Sequence, residues 1–319
     1  MNLSYQFIIK SKVAIRSMGF LKISPQKLLY SPAVNTVGML LGEALSPSFG
    51  NWVVKLLTNI ISRRKKFEQI KAVRANQWVI SGNTLSGQSL DDRVRQVYYS
   101  SGISLYDYFH CMRKEDCIRE LIQFDDNLQY FLKRVKSEKE RTMGLVLHMG
   151  AFDLCGYAIA LTGARPWVLA YPNPNPGYRW QNELRKQAGL VVEPLTMESF
   201  QQATRHIRKG GTVITGIDRP WQGGQFHPKF FGRPSDIPVT AIQMAIRTET
   251  PVTLLACIRQ PDHRYILHAS DLIELNKHPD RDVELVENTE RVLSVAEGFI
   301  TSAPEQWAMF YPVWPEINV

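Results

Sequence analysis

The chain has 319 residues, 44% of them hydrophobic and 21% charged, with a formal net charge of +8. That is enough apolar material for one large core or two smaller ones, and it excludes a disordered chain. The excess charge sits at one end. Residues 1–74 carry 12 Lys/Arg against Glu43 and Glu68, and residues 75–319 are net −2. This argues against a uniformly basic nucleic-acid-binding protein.

Residues 1–74 read as basic amphipathic helices that dock on a membrane. Within 52–62, Trp52, Val53, Leu56, Leu57, Ile60 and Ile61 recur at helical spacing, and Arg63-Arg64-Lys65-Lys66 follow. The pattern predicts a helix lying on an anionic membrane surface; the plainer alternative is a core helix with a solvated basic end. The longest uncharged run, 28–42, has 15 residues, and a span needs roughly 18. No secretory signal is evident, because Lys10, Lys12 and Arg16 interrupt the start. Residues 75–142 read as a helical subdomain packed on the core. One helix follows Asp91-Asp92, and another covers 125–139 with acids first and bases last.

From 143 the texture becomes alternating strands and helices. Strands are predicted at 144–148, 167–171, 190–195, 212–217 and 252–258, with 263–270 an antiparallel neighbour. Helices are predicted at 178–187, 197–209, 238–248 and 282–302. The alternation predicts an α/β fold over 143–319: a central, mostly parallel sheet flanked by helices, with the N-terminal helical subdomain against it.

The stretch 144–153 carries the chemistry. An apolar strand delivers His148 to its C-terminal end, where reactive groups gather in α/β sheets. Asp153 follows five residues later and is expected to fold back, fix the imidazole tautomer and leave the other ring nitrogen as a base. Gly150 lets backbone approach a ligand closely. No GxSxG elbow and no HExxH metal motif occurs. His110, His206, His227, His263, His268 and His278 read as surface or structural, with His227 near the cleft. Trp307 and Trp314 read as core or interface anchors. Cys111, Cys117, Cys155 and Cys257 read as four free thiols in a reducing compartment.

The flanks add a resemblance. LVLHMGAFD (145–153) is followed by Tyr171-Pro172, Asn175-Pro176, Asn182, Arg185 and Gly189. Then come GGTVITGIDRP (210–220), FHPKFFGRPSDIP (226–238), AIQMAIRTETPVTLLACIR (241–259) and NTERVLSVAEGFITSAPEQWAMFYPVW (288–314). In this order the motifs resemble the lauroyl/myristoyl lipid A acyltransferase branch of the lysophospholipid acyltransferase superfamily, which also holds phosphatidylinositol mannoside acyltransferases. The likeness covers about 143–315 well and 63–115 loosely. It implies a glycerol-3-phosphate acyltransferase-like sheet and transfer of a fatty acyl chain from acyl carrier protein or coenzyme A to a hydroxyl of a lipid or glycolipid. The thioester is a co-substrate, with no metal or other cofactor. His148 would be the base and Asp153 its partner. Arg185, Asp218 and the loop Phe230-Phe231-Gly232-Arg233 would bind substrate, the loop by lining the acyl channel or placing the acceptor. Peripheral or monotopic attachment at the cytoplasmic face of the inner membrane follows. Tyr171 and Arg219 depart from the lipid A pattern, where Arg and Gln are common. The alternative is a lipid- or acyl-carrier-binding protein without catalysis.

Overall fold

A computed structural model describes residues 38–319 except 40, 138 and 173–175. The expectation for residues 1–37, with five of the N-terminal cations, lies outside the described residues.

After helical residues 41–44 come α1 (Pro47–Ile61), α2 (Glu68–Ile80), α3 (Gly87–Cys111) and α4 (Glu115–Leu121). Helix α1 packs in an unusual sense. Its buried side consists of Gly50, Val54 and Thr58, and it lies on α3, where any Cβ at Gly50 would strike the Tyr106 ring. The small side faces the protein, so Phe49, Trp52, Leu56, Leu57 and Ile60 face outward, Trp52 at 56% exposure. Helix α2 runs through residue 74 and ties the helices to the C-terminal segment. The Asn76 amide donates to the carbonyls of Met309 and Tyr311 and accepts from the Val313 N–H.

Cys111 and Cys117 are joined in a disulfide, which corrects the expectation of four free thiols. The chain reverses between α3 and α4, bringing their Cα atoms to 5.2 Å, within bridging range. Cys155 and Cys257 are free and buried. The thiol pattern therefore no longer argues for a reducing compartment.

Next come β1 (Ile122–Phe124), α5 (Asp126–Ser137), β2 (Thr142–Val146), α6 (Phe152–Leu161), β3 (Trp167–Ala170), α7 (Pro176–Gln187), β4 (Val191–Pro194), α8 (Met197–Arg208) and β5 (Thr212–Gly216). A short hairpin, β6 (Lys229–Phe230) and β7 (Arg233–Pro234), precedes α9 (Thr240–Thr248), β8 (Val252–Arg259), β9 (Tyr265–Ala269) and α10 (Arg281–Ser302). Seven strands form one sheet in the order β1-β9-β8-β2-β5-β3-β4. Strands β8, β2, β5, β3 and β4 are mutually parallel, and β9 is antiparallel to β8. The α/β, mostly parallel architecture is as expected from the alternation. Central strands β2 and β8 read almost continuously apolar because helices cover both faces. One core lies between the sheet and α8, α9 and α10; the other lies against α5 and α6. Strand β2 ends at Val146, so His148 stands just beyond the strand.

Candidate active site

The carboxyl ends of the five parallel strands open on one edge of the sheet. Strands β2 and β5 are neighbours with Val146 opposite Gly216. Each chain runs two residues further in step and presents a side chain: His148 from one, Asp218 from the other. The His148 Nδ1 donates to Asp218 Oδ1 at 2.6 Å, and the His148 backbone N–H donates to Oδ2 at 2.9 Å. The Trp307 indole N–H donates to the same Oδ2 at 2.8 Å. Asp218 is fully buried. Burial alone would push its carboxyl up, but the charge and N–H groups of His148, with the Trp307 indole, outweigh this and hold it below the usual carboxylate range. An ionised Asp218 can only accept, so Nδ1 carries the proton and Nε2 keeps its lone pair when the ring is neutral.

The structure thus gives His148 a different partner from the one its own segment implies. Asp153, in the first turn of α6, turns away from the imidazole and forms an ion pair with Arg185 of α7, which also donates to Asn182 Oδ1 at 2.6 Å. Burial would lower the pKa of the Arg185 guanidinium; the negative charge of Asp153 outweighs it and raises it, so Arg185 stays cationic. The bend between His148 and Asp153 depends on Gly150. Its φ is +51°, and a Cβ there would lie 2.5 Å from the Cys257 carbonyl oxygen. The C-terminal segment clamps this bend: Gly150 N–H donates to the Gln306 carbonyl and Ala308 N–H to the His148 carbonyl.

His148, Asp153 and Arg185 all border a cavity of about 860 Å³. Beneath α6 it is lined by Phe152, Cys155, Gly156 and Ile159, which share one helix face, over Val146, Val168, Ile214 and Leu255 of the sheet. It continues past the strand ends to Phe200 of α8 and Met244 of α9. His148 is one-fifth exposed, with Phe152 edge-on to its ring at 4.8 Å. Gly216 leaves room for it: a Cβ there would sit 3.0 Å from His148 Cε1.

The loop Phe230-Phe231-Gly232-Arg233, expected to line the acyl channel or place the acceptor, is not among the residues that border this cavity. It is the turn of the β6–β7 hairpin. Phe230 is buried against Trp307 and Trp314, and Arg233 lies over Trp78. Two aromatic rings in sequence read equally well as channel or core, and the indoles of the C-terminal segment decide for core. Three of the six other histidines have polar partners away from His148: His110 with the Gly42 carbonyl, His268 with Asp125, and His227 with Asp236. Among the described residues no group of His, Cys, Asp or Glu gathers to hold a metal ion.

The sequence reading missed Arg219 and Tyr178 as cavity residues. Tyr178 is signalled only by its place on α7. Arg219 follows the strand-end Asp218, which was a readable signal. No curated protein matches the sequence. The profile described as bacterial lipid A biosynthesis acyltransferase matches residues 58–316, a span that includes every residue of the site above, and the chain belongs to that family.

Proposed function

We propose that the protein transfers a fatty acyl chain from an acyl carrier protein or coenzyme A thioester to a hydroxyl of a lipid or glycolipid. The observation that carries this reading is the His148–Asp218 pair, with Nε2 as its only free base, on the rim of a large apolar cavity. Nε2 takes the acceptor's hydroxyl proton as the oxygen attacks the thioester carbonyl. The tetrahedral oxyanion collapses, the C–S bond breaks, and the imidazolium returns its proton to the thiolate. No acyl-enzyme forms. General-base help of this kind contributes about 10²–10⁴ in rate. Arg185, held cationic by Asp153, supports the developing oxyanion or a phosphopantetheine phosphate. The slot beneath α6 takes the acyl chain, at about 0.8 kcal/mol for each CH₂ buried.

Helix α1 supports attachment to an anionic membrane surface. Its large side chains point outward, and Arg63, Arg64 and Lys66 beyond it have no carboxylate within ion-pair distance among the described residues, while Lys65 pairs with Asp91. Among the described residues no helix is long and apolar enough to cross a membrane. We place the protein as a peripheral or monotopic protein at the cytoplasmic face of the inner membrane. The Cys111–Cys117 bond favours an oxidising side instead. Alkylation in unreduced cell extracts decides between them: labelled Cys111 and Cys117 mean a reducing compartment.

The test of the reaction is a labelled acyl thioester with a lipid extract, comparing wild type with His148→Ala. Transfer by wild type and a loss of at least a hundredfold in the variant is the expected result; equal transfer would refute the mechanism. Thioester binding without transfer by either protein favours the binding-only alternative.

A further inference from the structure

Arg185, Arg219 and Arg247 border the cavity, and their surroundings differ; Arg247 lies over Phe200 of α8. Arg185 is cationic with its charge balanced by the paired Asp153 carboxylate. Arg219 has no carboxylate within ion-pair distance among the described residues. Its guanidinium is held by rings: Cζ lies 3.8 Å from the Tyr171 centroid, 4.4 Å from Tyr311 and 5.6 Å from Tyr178. Its Nη2 donates to the Tyr311 hydroxyl at 2.8 Å. The rings come from three distant places: the end of β3, the start of α7 and the C-terminal segment. Stacking on ring faces fixes the plane of a guanidinium and leaves its edge to hydrogen-bond. A half-buried cation with no counter-charge is costly to keep, and this one is kept on the lining of the cavity that His148 also borders, one residue from Asp218.

We propose that Arg219 is an anion-binding residue of the cavity and takes a phosphate group through the edge of its guanidinium. A phosphate presents two oxygens at the spacing of that edge. The inference rests on the acyl-transfer reading only for the two sources of such a group. One is the phosphopantetheine arm of the donor; the other is a phosphorylated headgroup of the acceptor. A phosphate here would help place the substrate that carries it against Nε2.

Calorimetric titration tests this without any turnover, so its failure is separate from failure of the acyl-transfer assay. The probes are 4′-phosphopantetheine against pantetheine, and phosphatidic acid against diacylglycerol in neutral detergent micelles. Wild type is expected to bind the phosphorylated member of at least one pair about tenfold tighter or more. That preference should vanish in Arg219→Gln. Preference within the first pair assigns the site to the donor, and preference within the second to the acceptor. If Arg219→Gln fails to fold, Arg219→Lys serves, because a point charge lacks the planar fork; its preference should fall severalfold. Less than twofold preference for both pairs in wild type, or an undiminished preference in the folded variant, overturns the proposal.

Discussion

Replacing Asp218 by Asn is the sharpest test of the site, because the new side chain is the same size but exchanges one anionic acceptor oxygen for a neutral NH₂ donor. Asp218 receives three N–H groups, two at Oδ2 and one at Oδ1. An amide has one oxygen. If that oxygen takes the Oδ1 place, the NH₂ faces the His148 backbone N–H and the Trp307 indole, leaving two buried donors unpaired at about 1–3 kcal/mol each. If it takes the Oδ2 place, both of those bonds survive and the NH₂ donates to His148 Nδ1. The second arrangement wins, and it moves the imidazole proton to Nε2. The base is then in the wrong tautomer, as in the handicapped serine-protease triad whose aspartate becomes asparagine. Stability should fall by only about 1–3 kcal/mol, the loss of charge assistance, whereas kcat should fall by about 10²–10⁴. The assay is steady-state transfer from a labelled thioester, with a thermal melt on the same preparation. Asp153→Asn is the control: it leaves the tautomer intact and should mainly raise KM for the thioester. A folded Asp218→Asn enzyme within threefold of wild-type kcat would refute the assignment of Asp218 to His148.

Asp218 also makes a pH prediction. Its folded pKa is depressed, so its stabilising contribution is complete above the unfolded carboxylate value and is lost as pH falls through the folded one. The stability gap between wild type and Asp218→Asn, from urea unfolding, should therefore shrink between about pH 5 and about pH 2; a constant gap contradicts this. Gly150→Ala should cost about 2 kcal/mol or more, from the left-handed backbone and the clash with the Cys257 carbonyl; a melt unchanged within a degree or two contradicts it. Trp52→Glu with Leu56→Glu on the outward side of α1 should abolish co-sedimentation with anionic vesicles and leave the melt unchanged; retained binding removes α1 as the docking element.

Most of the sheet was legible because each strand is a short apolar run bounded by turn residues, and each intervening helix carries its own period. The misses have a common physical cause. Strand β1 has three residues and exists because β9 offers a free edge. Spacing along the chain points His148 to Asp153, whereas sheet register supplies its partner from the neighbouring strand at Asp218. Spacing along a chain reports local geometry, and register between strands is set by packing that no local window contains. The same holds for Phe230 and Phe231, whose neighbours Trp307 and Trp314 lie far along the chain.

Trp307 has a consequence for how the molecule comes into being. The base, its carboxylate and the indole that completes the carboxylate's partners lie at 148, 218 and 307, so the site is assembled from residues synthesised at widely separated times. Helix α1 leaves the ribosome long before any of them, and the clamp on Gly150 and His148 arrives with residues 306–308. In a nascent chain the outward apolar side of α1 is therefore complete while His148 is still without a finished socket, which closes only when the final segment docks.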